Sequence, residues 1–308
     1  MKREDFTYES RDGINKIHAV RWTPDDLKPI GILQIIHGMA EHVERYEDFA
    51  NFACSKGFIV TAEDHLGHGA TVTDGTYGYF CRKDPATVVV RDVHRLKKIT
   101  QEQFPGLPYF ILGHSMGSFI LRNYLFRYGS GIDGAIVMGT GMQPKILVIG
   151  LKVMSSLACV FGKEKKPCRF INKAGFGAYQ KRISNPRTSN DWLTKDDKVV
   201  DKYNADPLCG FVFTGNGFMT LSELILRLYK KSNLEKMPKD LKILITSGAD
   251  DPVGDYGAAP KAVFDSYTAL GMTNVSLKLF EGDRHEILNE TDKEQVYSFI
   301  YEWIAKAL

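Results

Sequence analysis

The segment Gly113-His114-Ser115-Met116-Gly117 contains the strongest candidate for a nucleophile in this chain of 308 residues. It follows the apolar run Tyr109 to Leu112 and precedes a helical pattern, and this context separates a functional GxSxG motif from a chance match. Glycine on both sides of the serine permits a tight turn that a Cβ atom would block. The turn would lift the Ser115 hydroxyl above a sheet edge, so the motif predicts covalent catalysis by this serine.

A serine nucleophile needs a general base, and His285 is the only one of the eight histidines that follows Ser115. Where a nucleophile stands on a strand-to-helix turn of this kind, the order along the chain is Ser, Asp, His. His285 comes shortly after the apolar run Val275 to Phe280, at the end of a predicted strand. A loop at the carboxyl end of a parallel strand can reach Ser115, which predicts His285 as the base.

The acid that orients the base should lie in the loop after the preceding strand, Ser247 to Asp255, which contains three aspartates. Pro252 restricts the residue before it to an extended conformation, which favours Asp251 over Asp250. Asp255 is the third candidate. From the residues alone, Asp250 and Asp255 stay open as alternatives.

Two backbone N–H groups are candidates for stabilising a negatively charged oxygen. The N–H of Met116 stands where a helix begins, and the N–H of Met39 lies in the loop after the predicted strand Ile32 to Ile36. Gly38 allows that loop to approach the nucleophile closely. His37 precedes Ser115 in the chain, so we expect a structural hydrogen-bonding role for it.

His65 and His68 have a spacing that zinc sites also use, but no third ligand pattern lies nearby. We therefore interpret Asp64 to Gly69 as a tight loop beside the site, and we predict neither a metal nor an organic cofactor.

Short apolar runs alternate with helical patterns along the chain, which is typical of a mostly parallel α/β sheet flanked by helices. The predicted strands are Ile32 to Ile36, Phe58 to Ala62, Tyr109 to Leu112, Ala135 to Met138, Ile243 to Thr246 and Val275 to Phe280. The predicted helices are Tyr46 to Ser55, Pro85 to Gln103, Met116 to Tyr128, Pro260 to Leu270 and Asp292 to Ala307. Phe6 to Glu9 and Lys16 to Trp22 predict an antiparallel hairpin at the sheet edge. Thr291, with Glu294 three residues on, predicts a capping box for the last helix.

The alternation stops between residues 142 and 240, where helical patterns dominate and no comparable strand occurs. We interpret this stretch as a helical cap inserted into a core formed by residues 1–141 and 241–308. Residues 142–190 contain ten basic side chains and one acid, Glu164, which gives a net charge of +9 in a chain of net charge +3. Such a local excess can steer a partner.

Composition excludes several classes of protein. With 44% hydrophobic and 25% charged residues the chain is globular, and a net charge of +3 is too small to predict nucleic-acid binding. No apolar stretch follows the charged N-terminus, and the apolar run Val153 to Gly162 is flanked by lysines, so we expect neither a signal peptide nor a spanning helix. Five scattered cysteines predict reduced thiols and a cytoplasmic location.

Taken together, these motifs resemble the monoacylglycerol lipase and lysophospholipase branch of the α/β-hydrolase fold, which also contains serine aminopeptidase relatives. The matching pieces are His37 to His42, Asp64 to Gly69, Gly78 to Phe80, Gly113 to Gly117, Gly248 to Asp251 and Arg284 to Glu290. The resemblance implies a serine hydrolase with Ser115 as nucleophile, Asp251 as acid and His285 as base. It also implies an oxyanion hole formed by the Met39 and Met116 N–H groups. The stretch 142–240 matches no motif, so chain-length and head-group preference do not transfer.

The expected substrate is a small-molecule acyl ester such as a monoacylglycerol or lysophospholipid. A serine aminopeptidase is the main alternative; it would hold a substrate ammonium group with acids of the cap, for which Asp191, Asp196, Asp197 and Asp201 are candidates. A catalytically inactive binding protein is a third hypothesis, which the complete Ser, Asp and His set disfavours. The apolar segments Ile146 to Leu151 and Val153 to Val160 predict either an acyl-pocket wall, transient contact with a membrane surface, or an internal cap core.

Overall fold

The chain forms one eight-stranded sheet in a computed structural model that describes residues 1–308. Six strands, β3 to β8, are parallel to one another, and β2 is antiparallel to both of its neighbours. The strand order is β1-β2-β4-β3-β5-β6-β7-β8. The strands are β1 (Lys2–Glu9), β2 (Lys16–Thr23), β3 (Gly31–Ile36), β4 (Phe58–Glu63), β5 (Tyr109–His114), β6 (Gly134–Met138), β7 (Lys242–Gly248) and β8 (Val275–Phe280).

Ten helices cover the sheet and fill the long connection after β6. They are α1 (Glu47–Ser55), α2 (Pro85–Gln103), α3 (Met116–Tyr128), α4 (Lys145–Ala158), α5 (Arg169–Phe176), α6 (Asp197–Ala205), α7 (Gly215–Arg227), α8 (Lys231–Leu234), α9 (Ala258–Ala269) and α10 (Lys293–Ala305). Every strand and helix that the sequence predicted is present, with ends shifted by at most four residues.

Alternate residues of the central strands enter two separate cores, because successive side chains of a strand point to opposite faces. Ile32 and Ile111 pack into the larger core together with α2 and α3. Leu33 and Phe110 pack into the smaller core with α1 and α10. Burial on both faces explains why these parallel strands are almost continuously apolar.

The capping box predicted for the last helix was wrong. The helix begins at Lys293 after Asp292, and no side chain caps it. A backbone turn satisfies the first N–H of the helix instead, since the Lys293 N–H donates to the Glu290 carbonyl. Glu290 itself is engaged elsewhere, because its carboxylate accepts the N–H groups of Lys195 and Arg284.

The segment between β6 and β7 contains α4 to α8 and contributes no strand to the sheet. Its only bridge of β type joins Pro167 to Thr214. Helix α7 packs against α2, α3 and α4, and its apolar residues belong to the larger core of the sheet. The segment is thus anchored to the sheet layers through α7 while α4 and α5 lie farther out.

Candidate active site

Ser115 stands on the turn between β5 and α3 in a conformation that few residues adopt. Its φ is 53° and its ψ is −119°, which places it in the left-handed half of φ/ψ space. The turn is held by the Ser115 N–H, which bonds the Met138 carbonyl at 3.0 Å. Strain of this kind persists only where surrounding contacts fix it, and it is typical of functional sites.

The two glycines of the motif are required by close packing around this turn. A Cβ atom on Gly113 would lie 2.4 Å from the Gly117 carbonyl oxygen. A Cβ atom on Gly117 would lie 2.0 Å from the carbonyl oxygen of Ile36, at the end of β3. Both distances are far below van der Waals contact, so only glycine lets α3 start this close to the sheet.

Asp251 and His285 form a hydrogen-bonded pair at the carboxyl ends of β7 and β8. His285 Nδ1 lies 2.9 Å from Asp251 Oδ2, and the carboxylate also accepts the Ser247 hydroxyl at 2.9 Å and the Val253 N–H at 2.8 Å. Burial alone would raise the pKa of Asp251, but the facing imidazole and these hydrogen bonds lower it below its ordinary value. An ionised Asp251 can hold His285 in one tautomer.

The two competing aspartates lie outside this arrangement. Asp250 and Asp255 are exposed, whereas Asp251 is completely buried. Of the three aspartates, only Asp251 is bonded to the imidazole. The geometry therefore favours Asp251 as the acid.

Ser115 and His285 line the same cavity, which has a volume of about 730 Å³. The residue before the serine also links them, since His114 Nε2 lies 3.2 Å from the carbonyl oxygen of His285. The Ser115 hydroxyl makes no hydrogen bond to the His285 ring in this structure. Contacts of this type commonly tighten only when substrate binds.

The loop after β3 passes directly beside Ser115. A Cβ atom on Gly38 would lie 3.1 Å from Ser115 Cβ, which shows how close the backbone comes. The Gly38 carbonyl accepts His37 Nδ1–H at 2.8 Å, and the Gly38 N–H donates to Glu41 at 2.5 Å. Because the Gly38 carbonyl and the Met39 N–H belong to one peptide plane, the bond from His37 fixes the direction of the Met39 N–H, while the bond to Glu41 holds the peptide before it. Met39 and Met116 both line the cavity.

The family of this chain follows from its similarity to known proteins. A family model described as "Serine aminopeptidase, S33" matches residues 27–292. The chain belongs to this family. The resemblance inferred from the sequence motifs is thereby confirmed.

Individual relatives extend over nearly the whole chain. The "Monoacylglycerol lipase" of Mycolicibacterium smegmatis is 26% identical and covers 99% of this chain and 98% of its own. The "Monoglyceride lipase" of Homo sapiens is 25% identical over 92% of this chain and 85% of its own. A crystal structure of a thermostable carboxyl esterase from Bacillus coagulans, in complex with glycerol, superposes with a TM-score of 0.88. It shares 33% identity and covers 99% of both chains, which confirms the α/β-hydrolase fold.

A network of buried charges lies beneath the site of this S33-family chain. The two terminal guanidinium nitrogens of Arg45, Nη1 and Nη2, each donate to one oxygen of Glu286 at 2.6 Å. Nη1 also donates to Glu41 at 2.7 Å. Glu41 also accepts the Tyr46 hydroxyl at 2.8 Å and faces His114 Nδ1 at 3.3 Å. Although burial would raise it, the hydrogen bond to His114 and the charge of Arg45 hold the pKa of Glu41 well below its ordinary value.

Sequence reasoning missed this network. Arg45 and Glu286 are 241 positions apart, and no local motif connects them. Only the position of Glu286 directly after His285, and of Glu41 two residues after Met39, could have drawn attention to them.

The loop that carries His285 is also held by a short segment of the region between β6 and β7, which sequence reasoning did not single out either. The Glu286 N–H donates to the Leu193 carbonyl at 2.7 Å. Arg284 Nη1 donates to the Asp191 carbonyl at 2.6 Å and to the Thr194 carbonyl at 3.1 Å. His285 is therefore positioned by both parts of the fold.

The histidines of the predicted tight loop pack against His37 rather than converging on one point. Ring centroids are 4.0 Å apart for His37 and His65 and 6.1 Å apart for His65 and His68. The His65 N–H donates to His37 Nε2 at 3.1 Å, in agreement with the structural role expected for His37. Burial lowers the pKa of His37 to about 3 and that of His65 to about 4, so both rings are neutral.

Another group of side chains could hold a metal ion by type and distance. One ligand atom each of His42, Asp206 and Cys209 lies within 4.8 Å of the others. His42 Nε2 is already bonded to Asp206 at 2.8 Å, and burial raises the pKa of the Cys209 thiol. His42 and Asp206 thus satisfy each other by hydrogen bonding.

Proposed function

We propose that this chain is a serine carboxylester hydrolase that cleaves monoacylglycerols and related single-chain esters through an acyl-enzyme on Ser115. The observation that carries the proposal is the strained Ser115 turn in the same cavity as the Asp251–His285 pair. His285 Nε2 takes the hydroxyl proton as Ser115 attacks the ester carbonyl, and Asp251 stabilises the imidazolium. The alcohol leaves with that proton, and water then releases the acid by the same steps.

The negative charge of the tetrahedral intermediate falls on the oxygen that was the carbonyl oxygen of the ester. We assign its stabilisation to the N–H groups of Met39 and Met116, the second of which begins α3. A donor of this kind contributes about 3 kcal/mol to transition-state stabilisation. Every step uses side chains and backbone groups of this chain.

The cavity supports an acyl substrate. Nineteen of its 33 lining residues are hydrophobic, and they include Phe119, Leu147, Val148 and Met154. Its volume of about 730 Å³ is within the range of sites for small ligands. Several relatives that cover most of this chain are named monoacylglycerol or monoglyceride lipases, which supports a glycerol ester as substrate.

The aminopeptidase alternative is not favoured. It needs an unpaired carboxylate for the substrate ammonium group, and the cavity is lined by two carboxylates, Glu41 and Glu286, which both bind Arg45. The four aspartates considered from the sequence do not line the cavity. Asp191 accepts hydrogen bonds from the backbone at 187 and 188, Asp196 caps α6, and Asp197 and Asp201 pair with Arg187.

We further propose that residues 142–240 act as a cap over a core of residues 1–141 and 241–308, and that the cap touches a membrane surface. The helical stretch Lys145–Lys163 is long and apolar enough, by length and composition, to cross a membrane, and little of it is buried. Its exposed side chains form an apolar face together with one from α5. That face consists of Ile146, Leu147, Ile149, Val153, Met154, Leu157, Val160, Phe161 and Phe170.

Charge and position both support a bilayer as the partner of this face. Of the ten basic residues in 142–190, only Lys152 and Arg187 form an ion pair with a carboxylate. Leu147 and Met154 belong both to the apolar face and to the cavity lining, so a lipid could pass between them. An amphipathic helix with basic flanks binds anionic interfaces.

Vesicle flotation tests the membrane contact. Phe161→Asp combined with Phe170→Asp should reduce binding to phosphatidylglycerol vesicles at least about tenfold, since each change removes a large apolar side chain from the interface. Ile14→Asp is the control, because Ile14 is 84% exposed but lies in the β1–β2 turn. Unchanged binding of the double variant would refute the contact.

The chain has the α/β-hydrolase fold, and we propose that it works in the cytoplasm. All five cysteines are unpaired. Free thiols are typical of a reducing compartment. Fractionation of cells that express the chain, with and without high-salt washing, would separate a cytoplasmic pool from a membrane-bound one.

The function is tested by turnover of nitrophenyl esters of graded chain length and of a monoacylglycerol, compared with an aminoacyl nitroanilide. We expect ester turnover to exceed anilide turnover by several orders of magnitude, and Ser115→Ala to abolish it. Ser55→Ala is the matched control, because Ser55 lies exposed at the end of α1. Faster anilide turnover would overturn the ester assignment, and an active Ser115→Ala variant would overturn the nucleophile.

A further inference from the structure

The indole ring of Trp192 lies against the imidazole of His285. The two ring centroids are 5.1 Å apart and the planes are tilted by 41°. Trp192 comes from the connection between α5 and α6, and no sequence motif pointed to it. A cation within about 6 Å of an aromatic centroid is attracted by the electron-rich face, and tryptophan is the strongest partner.

Aromatic packing also holds the indole in place. The Tyr179 ring lies 4.9 Å from Trp192, and Phe176 lies 5.6 Å from Tyr179. The backbone next to the indole is bonded to the His285 loop, since the Leu193 carbonyl accepts the Glu286 N–H at 2.7 Å. The indole and the imidazole therefore keep their relative position.

We propose that Trp192 is a positioning residue for His285 that stabilises the imidazolium formed during ester cleavage. This inference rests on the proposed function. When the Ser115 proton passes to His285 Nε2, the ring gains a full positive charge, with Asp251 bonded at Nδ1. The indole ring then attracts the positive charge that His285 gains with this proton. An interaction that strengthens only in the transition state raises kcat rather than lowering KM.

The expected size of this effect follows from the strength of cation–π contacts. For a partly desolvated cation–π contact, loss of the aromatic ring corresponds to a rate that is about 2- to 30-fold lower. Trp192 also lines the cavity, so a purely structural role predicts a different result. Loss of a cavity wall would change KM and would depend on side-chain volume, not on the electron density of the ring.

Fluorinated tryptophans separate the two roles, because successive fluorines weaken the electron-rich face while the ring keeps its shape. The chain has three tryptophans, so labelling also replaces Trp22 and Trp303. Trp192→Phe labelled in the same way is the matched control. We expect kcat for a nitrophenyl ester to fall stepwise with fluorine number in the wild type, with KM nearly constant, and to stay level in the control.

Conventional variants add a second readout. Trp192→Leu should lower kcat about 2- to 30-fold, whereas Trp192→Phe should retain most of it, because a benzene face still attracts the imidazolium. Equal kcat for the leucine variant and the wild type would overturn the proposal, as would equal effects of fluorination in the control. An active Ser115→Ala variant would overturn the proposed function itself. If Ser115→Ala is inactive and Trp192→Leu has the kcat of the wild type, only the role of Trp192 is overturned.

Discussion

Replacing Glu41 by glutamine tests whether the buried charge network supports the oxyanion loop. The side chain of Glu41 is only 4% exposed, and its carboxylate accepts Arg45 Nη1 at 2.7 Å and the Gly38 N–H at 2.5 Å. The substitution Glu41→Gln keeps the shape but removes the charge and one acceptor. The variant therefore isolates the electrostatic contribution of this carboxylate.

The loss of stability can be worked out from these contacts. Breaking a buried ion pair costs about 3–5 kcal/mol. Because Arg45 keeps both bonds to Glu286, we expect the free energy of unfolding to fall by the lower value, about 3 kcal/mol. For a chain of this length that corresponds to a Tm lower by about 6 °C. The pKa of Glu41 is depressed, so its stabilisation is complete above its ordinary pKa and is lost as the pH falls below it. The difference between the two proteins should shrink in acid.

The same change should reduce kcat about tenfold. The Gly38 N–H would lose its charged acceptor, and the neighbouring Met39 peptide would be less well oriented. The expected loss is smaller than the loss of kcat caused by complete removal of an oxyanion-hole donor. Calorimetry and nitrophenyl ester kinetics measure the two effects. Glu44→Gln is the control, because Glu44 is 41% exposed and its pair with Arg3 contributes about 0–1 kcal/mol. A Glu41→Gln variant with the Tm and kcat of the wild type would show that the charge of Glu41 supports neither the fold nor the loop after β3.

Three further predictions concern the acid, the turn and a second buried carboxylate. Asp251→Asn should lower kcat about 10⁴-fold in the ester assay, whereas the exposed Asp250→Asn should leave it nearly unchanged; similar losses in both would contradict the assignment. Gly117→Ala should destabilise the fold by more than about 3 kcal/mol in thermal unfolding, because the new Cβ would lie 2.0 Å from a carbonyl oxygen. Gly175→Ala is the control and should leave stability nearly unchanged, because open space surrounds that position. Burial raises the pKa of Glu63 from 4.5 to about 8, so the native state keeps a proton that the unfolded chain releases, and stability should fall as pH rises between these values. Glu63→Gln should reduce that fall by up to about 5 kcal/mol, and an unchanged pH profile of unfolding would show that the carboxyl is not protonated in the native state.

The sheet could be predicted from the sequence because its signal is local. Six apolar runs and the intervening helical patterns correspond to β3 to β8 and their helices, since strands buried on both faces must be apolar throughout. Ser115 and His285 could be selected because a tight glycine turn and a single late histidine leave little choice. Asp251 needed the structure as well, since three aspartates share one loop, and it is their burial and the hydrogen bond to His285 that separate them.

The contacts that hold the site together could not be predicted, because they join distant parts of the chain. Arg45 meets Glu286, and Trp192 meets His285, across 241 and 93 positions, through loops without sequence periodicity. The missed cap of α10 has a different, local cause. Thr291 and Glu294 fit the capping pattern, yet the structure ends the preceding turn with a backbone bond to Glu290.

Mass-spectrometric mapping of a fluorophosphonate adduct shows which serine is activated, because the probe reacts with a serine in proportion to its nucleophilicity. We expect one adduct per chain, on the peptide that contains Ser115, and labelling slower by at least about 10³-fold in His285→Ala. An adduct on a different residue, or labelling of His285→Ala at the wild-type rate, would contradict this expectation.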